Sequence, residues 1–152
     1  METQEIVRRT HRIAAMVAYS ILAAMVLYLV LEELIRMKMA PFHGFYPVSN
    51  PQTLRYLFYG LSAAGVILAR LLQSIMLRKK PQDTALDLIN KLHRTSLVAS
   101  VMSELPALFG LALFLIRGFN RDFYVLLAIS IIVLFIFFPR RRAWEAWIAG
   151  QI

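Results

Sequence analysis

The chain contains no cysteine and only three histidines among its 152 residues. The lack of cysteine excludes disulfide bonds, thiolate metal sites and cysteine nucleophiles. The sequence places no histidine beside a candidate nucleophile and acid, so nucleophilic catalysis has no support. Haem bound through His11 and His93 stays open as an alternative, but we predict neither a cofactor nor a metal ion, and these residues do not favour an enzyme.

Charge is also scarce where the chain is most apolar. Hydrophobic residues make up 59% of the sequence and the mean hydropathy is +0.61, values typical of membrane proteins. The chain has 17 basic and 9 acidic residues, yet only Arg70 and Glu104 lie inside the long apolar runs. The net charge of +8 belongs to the segments that flank those runs. This predicts contact with an anionic bilayer surface and no nucleic-acid partner.

Four apolar runs have lengths suited to crossing a hydrocarbon core of ~30 Å at ~1.5 Å per residue. We predict an all-α, polytopic membrane protein, a single domain over residues 1–152, with four transmembrane helices in an antiparallel bundle and short interfacial helices. The first run follows a basic segment but is too long for the core of a signal peptide, so we interpret it as a retained span. The predicted spans are residues 13–31, 56–77, 95–116 and 123–138.

Two polar segments have the pattern of interfacial helices. Thr84 and Asp87 have the spacing of a capping box, and the periodicity after them predicts an interfacial helix over residues 84–94 that continues into the third span. Residues 140–152 form an amphipathic tail that we expect to lie along the membrane surface. Its interface residues are predicted to be Arg140, Arg141, Arg142, Trp144 and Trp147.

The distribution of basic residues predicts the orientation in the membrane. Of the 17 lysines and arginines, 11 lie in the N-terminal segment, the 78–94 segment and the C-terminal tail, whereas five lie in the two opposite loops. Basic residues are retained on the cytoplasmic side of a membrane. We therefore expect both termini in the cytoplasm, and the bacterial inner membrane as the location.

Spacings along the first two spans predict local contacts. Glu32 and Arg36 are four residues apart, which is the spacing of a helical ion pair at the exit of the first span. The second span contains two pairs of small residues at four-residue spacing, which allow close approach of a neighbouring helix. These pairs are Gly60 with Ala64 and Gly65 with Ala69.

Glu104 is the residue that the third span must accommodate, because a carboxylate at the centre of a bilayer costs ~2.5–3.5 kcal/mol on insertion scales. It lies nine residues into its span, at a depth of ~13 Å, and Arg70 lies ~10 Å deep from the same side. At nearly equal depth on adjacent helices, the two side chains are predicted to form a buried ion pair. With Ser100 and Ser103 they form the candidate ion-binding site.

Pro106 strengthens this prediction. Proline has no N–H with which to bond the carbonyl of Met102, so that carbonyl is expected to be free close to the acid. Small and polar residues on the same helix, from Ser96 to Ser103, would leave room there for a proton, an ion or water.

The segment from Glu104 to Leu111, Glu-Leu-Pro-Ala-Leu-Phe-Gly-Leu, resembles the proteolipid (c or K) subunits of rotary ATPases. It lies in the second arm of a helical hairpin, residues 56–116, whose connecting loop carries Arg78-Lys79-Lys80-Pro81. The resemblance implies that Glu104 binds a translocated proton or sodium ion, and that several copies of the chain assemble in the membrane.

Three functions are consistent with the sequence. The first is a structural or accessory subunit of a membrane assembly, or a homo-oligomer, in which the Arg70–Glu104 pair orients two helices. The second is a protein that binds protons or cations at Glu104. The third is a membrane-embedded enzyme similar to glutathione transferases of this length, although their Glu-Arg pattern followed by Asn and Glu on one helix is not found here.

Overall fold

The computed structural model describes residues 2–47, 49–78, 84–140, 144 and 146, and all regular structure within these residues is helical. Four of its helices are long and apolar enough to cross a membrane, which confirms the prediction of an all-α protein with four candidate spans. They are α1 (Glu2–Lys38), α2 (Pro51–Met76), α3 (Ala85–Arg117) and α4 (Asn120–Phe137).

The helix ends follow from local sequence signals. Asn50 caps α2 by accepting a hydrogen bond from the backbone N–H of Thr53, with Pro51 at the first helical position. The predicted capping box of Thr84 and Asp87 is present at the start of α3. From there α3 runs without a break to Arg117, so the segment predicted as an interfacial helix and the third predicted span are one helix.

The helices are arranged around α3, which packs against each of the other three. α1 and α2 do not contact one another within the described residues. One core joins α1 to α3 and α4, with Met25, Phe114 and Leu127 at its centre. A smaller core joins α2 to the same two helices through Ala69 and Ala99, among others. α1 and α2 therefore lie on opposite sides of the α3–α4 pair.

The rotation of α2 about its axis decides which of its residues face the protein. Its buried residues are Ser62, Gly65 and Ala69, and a side chain added at Gly65 would contact Leu105 of α3 at 3.3 Å. In contrast, nothing lies within 4 Å of a Cβ placed at Gly60. Of the two predicted small-residue pairs, Gly65 with Ala69 lies at a helix interface, and Gly60 with Ala64 points away from the protein.

One end of the molecule, called here the loop end, is formed by the 39–50 connection and the turn between α3 and α4. Backbone N–H groups of Phe45 and Tyr46 donate hydrogen bonds to the carbonyls of Leu115 and Ile116, at 2.9 and 3.2 Å. Gly118 ends α3 in the left-handed region, with φ +71°, and a Cβ on it would approach the carbonyl of Phe42 at 2.8 Å. Only glycine fits such a close contact in this conformation.

The opposite end, called here the basic end, joins the start of α1, the start of α3 and the segment after α4. Trp144 is buried against Ala14 and Leu92 and its ring meets that of His11 edge to face. His11 also lies 2.8 Å from the carbonyl oxygen of Pro139 through Nε2. The structure thus places Trp144 inside the protein and Arg140 on its surface, whereas Arg141, Arg142 and Trp147 of the predicted tail lie outside the described residues.

Candidate functional site

The site around Glu104 begins with a proline inside a helix. Pro106 lies in the interior of α3, where its ring displaces the preceding turn and removes one backbone hydrogen bond. The N–H of the next residue, Ala107, donates instead to Ser130 Oγ of α4 at 2.7 Å, and both residues are fully buried. α4 therefore supplies a polar partner where the hydrogen bonding of α3 is disturbed.

Ser130 should contribute measurably to stability, because its loss leaves the buried N–H of Ala107 without an acceptor. We expect Ser130→Ala to lower the free energy of unfolding by ~1–3 kcal/mol. Ser20→Ala is the matched control, since Ser20 is exposed and its hydroxyl bonds only the carbonyl of Met16 on its own helix. Unfolding of both variants in mixed detergent micelles would test this, and equal stabilities would show that the Ser130–Ala107 bond contributes nothing.

Glu104 has a tyrosine as its partner. The hydroxyl of Tyr28 on α1 donates a hydrogen bond to Glu104 Oε1, and both side chains are partly buried. Ser100 and Ser103, predicted to accompany the acid, are fully buried on α3, and Ser103 Oγ donates to the carbonyl of Ser100 at 2.6 Å. The Ser100 hydroxyl has no hydrogen-bond partner in the structure.

The predicted ion pair between Arg70 and Glu104 is wrong. Arg70 is exposed on α2 and donates to Gln73 Oε1 of its own helix at 3.0 Å. The physical reason is the placement of helices around α3, since Glu104 faces α1, whereas α2 packs against the side of α3 that carries Leu105. The predicted depths of Arg70 and Glu104 are positions along the helix axes only. The two side chains point to different sides of the protein.

A second acid and tyrosine contact lies nearer the loop end. The side chain of Glu32 is fully buried, and its Oε2 lies 2.8 Å from the hydroxyl oxygen of Tyr124 on α4. The same hydroxyl lies 2.5 Å from Glu33 Oε1, and Glu33 Oε2 forms an ion pair with Arg36 at 2.6 Å. The predicted pair of Glu32 with Arg36 is thus replaced by Glu33 with Arg36, while Glu32 turns inward.

The two contacts belong to one face of α1. Tyr28 and Glu32 are one helical turn apart, and residues four apart on a helix have Cβ atoms ~5–6 Å from each other. We call these five residues the acid–tyrosine cluster: Tyr28, Glu32 and Glu33 of α1, Glu104 of α3 and Tyr124 of α4. The cluster follows α1 from the level of Glu104 to the loop end.

A separate polar contact joins α2 to the start of α4. Asp122, in the first turn of α4, is buried and accepts hydrogen bonds from Arg55 at 2.8 Å and Tyr59 at 3.0 Å. The guanidinium of Arg55 also lies over the ring of Phe119, 5.4 Å from its centroid. This arrangement neutralises Asp122 and fixes α2 against α4, on the opposite side of the α3–α4 pair from the acid–tyrosine cluster.

A cavity of about 440 Å³ opens at the basic end, between the end of α2, the start of α3 and the segment after α4. Thr95 and Ser96 of α3 contribute hydroxyl groups to its wall, and the Thr95 hydroxyl is buried with no hydrogen-bond partner among the described residues. Ser100 lies one helical turn further along α3, and Glu104 one turn beyond that. Ser96, Ser100 and Glu104 thus follow one another at four-residue spacing along α3.

Within the described part of the chain, no three histidine, cysteine, aspartate or glutamate side chains come together. The haem alternative is weakened by His11, whose Nε2 is already in contact with the carbonyl of Pro139.

Sequence reasoning identified Glu104 but missed its partner and the cluster as a whole. Tyr28 and Tyr124 lie in apolar runs where a tyrosine is an ordinary residue. The available signal was two adjacent acids, Glu32 and Glu33, at the end of a span where Arg36 can pair with only one of them.

Comparison of the chain with models of protein families, with curated proteins and with solved structures finds no match.

Proposed function

We propose that the protein is a proton-translocating integral membrane protein in which Glu104 is the group that binds and releases the proton. The observation that carries this proposal is that the partner of Glu104 is the neutral hydroxyl of Tyr28 and that Arg70 lies elsewhere. The four helices of spanning length supply the membrane setting.

The identity of the partner matters because it decides how the acid is neutralised. A buried carboxylate beside an arginine stays charged and fixed in an ion pair. A carboxylic acid that faces only a tyrosine in hydrocarbon is neutral when it holds a proton, and it can release that proton when water or another acceptor reaches it. The Tyr28 hydroxyl can donate to Glu104 in either state, to the carboxylate or to the carbonyl oxygen of the acid.

Polar groups on both sides of Glu104 support the same proposal. Towards the basic end, the cavity reaches Ser96, and Ser100 lies between Ser96 and Glu104. Towards the loop end, the acid–tyrosine cluster continues from Tyr28 to Glu33. From the charge distribution we place the basic end in the cytoplasm. The resemblance of the segment from Glu104 to Leu111 to rotary ATPase proteolipids points to the same acid as the ion-binding group.

Labelling with dicyclohexylcarbodiimide tests the proposal, because this reagent reacts with protonated carboxylic acids in apolar surroundings. In native membranes we expect modification at Glu104, no modification of Glu104→Gln, and a decrease in labelling as the pH is raised. Peptide mass spectrometry locates the label, and an unmodified Glu104 would contradict the proposal.

A second candidate function is that of a structural subunit or homo-oligomer, and the outward face of α2 favours it. Gly60 has no neighbour within 4 Å and Ala64 is exposed on the same helix, which leaves a small-residue pair of the type that packs against another membrane helix. Mass measurement after extraction in a gentle detergent separates a single chain from a ring or a larger assembly. A defined assembly combined with an unlabelled Glu104 would favour this second function over the first.

A further inference from the structure

We infer that Glu32 is a second proton-binding site, held protonated inside the protein, and that it passes its proton through the Tyr124 hydroxyl to Glu33 at the loop end. The inference names the outer part of the route proposed for Glu104 and in that respect rests on the proposed function. It is independent of Glu104 in its evidence, which is the pair of hydrogen-bond contacts that Tyr124 makes with Glu32 and Glu33.

A tyrosine hydroxyl has one hydrogen to donate. Tyr124 Oη nevertheless lies within hydrogen-bond distance of two carboxyl oxygens, Glu32 Oε2 at 2.8 Å and Glu33 Oε1 at 2.5 Å. If both acids were charged, one of these contacts would bring two oxygen lone pairs together without a hydrogen between them. One hydrogen cannot be well aligned with both oxygens, so both short contacts are best satisfied when one of the two acids carries a proton and donates it to Tyr124.

The surroundings of the two acids identify which of them is protonated. Glu33 forms an ion pair with Arg36 at 2.6 Å near the protein surface, so it is the carboxylate. Glu32 is fully buried, and its second oxygen, Oε1, has no hydrogen-bond partner. A carbonyl oxygen left without a partner is much less costly in a protein interior than a charged carboxylate oxygen in the same position.

Within the described residues no basic side chain forms an ion pair with Glu32, and the charge of Arg36 reaches it only through space. On α1 the neighbouring ionisable side chains are Tyr28, Glu33 and Arg36, and Arg36 is engaged by Glu33. α4 contributes Tyr124, while the nearby Asp122 is bonded to Arg55 and Tyr59 on the α2 side. α3 carries no ionisable residue between Glu104 and Arg117, and the Phe42 side chain that packs on this core from the loop is apolar.

These assignments define a directed chain of hydrogen bonds. Glu32 Oε2–H donates to Tyr124 Oη, and Tyr124 Oη–H donates to Glu33 Oε1. Transfer of both hydrogens along the chain turns Glu32 into a carboxylate and Glu33 into an acid, and Tyr124 stays a neutral phenol. Release of the proton from Glu33 to water, rotation of the Tyr124 hydroxyl and uptake of a new proton by Glu32 restore the starting state.

Infrared spectroscopy of the protein in lipid nanodiscs tests the inference, because protonated carboxylic acids and carboxylates absorb at separate frequencies. The measurement is made in the Glu104→Gln background, so that the proton proposed for Glu104 does not contribute. At neutral pH we expect one carboxylic-acid carbonyl band that is lost on adding Glu32→Gln and kept on adding Glu33→Gln. If Glu32→Gln removes a carboxylate band instead, Glu32 is charged and the inference is wrong.

Tyr124→Phe provides a second infrared test of the inference and leaves both acids in place. Removing the phenol oxygen deprives the Glu32 hydroxyl of its acceptor, so the acid band should persist but move to the higher frequency of a free carboxylic acid. An unmoved band would show that Glu32 does not donate to Tyr124. If the unchanged protein is not labelled at Glu104 but the acid band of Glu32 is present, the proposed function alone is wrong. If Glu104 is labelled but Glu32 gives no acid band, this inference alone is wrong.

Discussion

Proton flux into liposomes that contain the protein should fall to the level of empty liposomes when Glu104 is replaced by glutamine. Glutamine keeps the size of the side chain and an oxygen that accepts the hydrogen bond from Tyr28. It has no proton to release, so the helices stay packed while proton transfer stops. A pH-sensitive dye inside the liposomes, with a potassium gradient and valinomycin as the driving force, measures the flux.

Arg70→Gln is the matched control for Glu104→Gln. Each substitution replaces one ionisable residue of a helix of spanning length with glutamine, and the predicted depths of the two residues are similar. Because Arg70 is exposed and bonded only to Gln73, we expect this variant to keep the flux of the unchanged protein. If Arg70→Gln stopped the flux as completely as Glu104→Gln, the two residues would act together and the separation seen in the structure would not describe the working protein.

Tyr28→Phe completes the series by keeping the acid and removing its hydrogen-bond donor. We expect an intermediate flux, since Glu104 still binds a proton but loses the hydroxyl that orients it. Circular dichroism and gel filtration of all three variants verify that they fold. A folded Glu104→Gln variant with undiminished flux would remove Glu104 from the proposed function.

The number and nature of the helices could be predicted from composition because a bilayer imposes a simple rule. Backbone groups in hydrocarbon must be bonded within one segment, so an apolar run of sufficient length becomes a helix whatever its neighbours are. The starts of α2 and α3 were also predictable, since Asn50 with Pro51 and Thr84 with Asp87 are local signals. These features depend on residues a few positions apart.

The partner of Glu104 could not be predicted from residues a few positions apart, because it depends on how the helices pack. Depth follows from counting residues along a helix, at ~1.5 Å each, but contact also requires the rotation of each helix and the order of helices around the bundle. Ala69 is buried between α2 and its neighbours, and Arg70, one residue later, points ~100° away from it, since a helix has ~3.6 residues per turn. Both the rotation of α2, which turns Arg70 away from α3, and the position of Glu104 on the α1 side of α3 therefore separate the structure from the predicted pair.

The acid–tyrosine cluster was hidden for the same reason. Tyr28 and Tyr124 are far apart in sequence, and each lies in an apolar run where a tyrosine is an ordinary residue. Only the packing of α1 against α3 and α4 brings these hydroxyls to Glu104, Glu32 and Glu33. The sequence did locate the acid that needs a partner, because the cost of an ionisable group in hydrocarbon depends on its own position and not on its neighbours.

Gly110 sets how closely α3 and α4 approach, and its replacement should have the largest effect on stability among the glycines of the helices. A Cβ at this position would lie 3.0 Å from the Cβ of Leu126 and 3.2 Å from the backbone Cα and carbonyl oxygen of Phe123. Backbone atoms of a packed helix have no rotamer by which to move aside. The added atoms must therefore separate the two helices or shift them along each other.

We expect Gly110→Ala to lower the free energy of unfolding by ~1–3 kcal/mol, as overpacked cores do, and Gly110→Leu to prevent native packing of α3 on α4. Gly60 is the matched control, because it lies within α2 and nothing is within 4 Å of its added Cβ. Gly60→Ala should leave stability unchanged or raise it by up to ~1 kcal/mol, since alanine favours the helix over glycine.

Unfolding curves in mixed detergent micelles, followed by circular dichroism, rank the three variants against the unchanged chain. The order that we expect, from most to least stable, is Gly60→Ala, the unchanged chain, Gly110→Ala and Gly110→Leu. Because Ser130 on α4 bonds Ala107 only while α3 and α4 stay in contact, the destabilisation from Gly110→Leu should also remove the effect of Ser130→Ala in a double variant. If the changes in the free energy of unfolding add fully, the α3–α4 contact at Gly110 and the hydrogen bond at Ser130 are independent. The close approach at Gly110 would then not position the turn that carries Glu104.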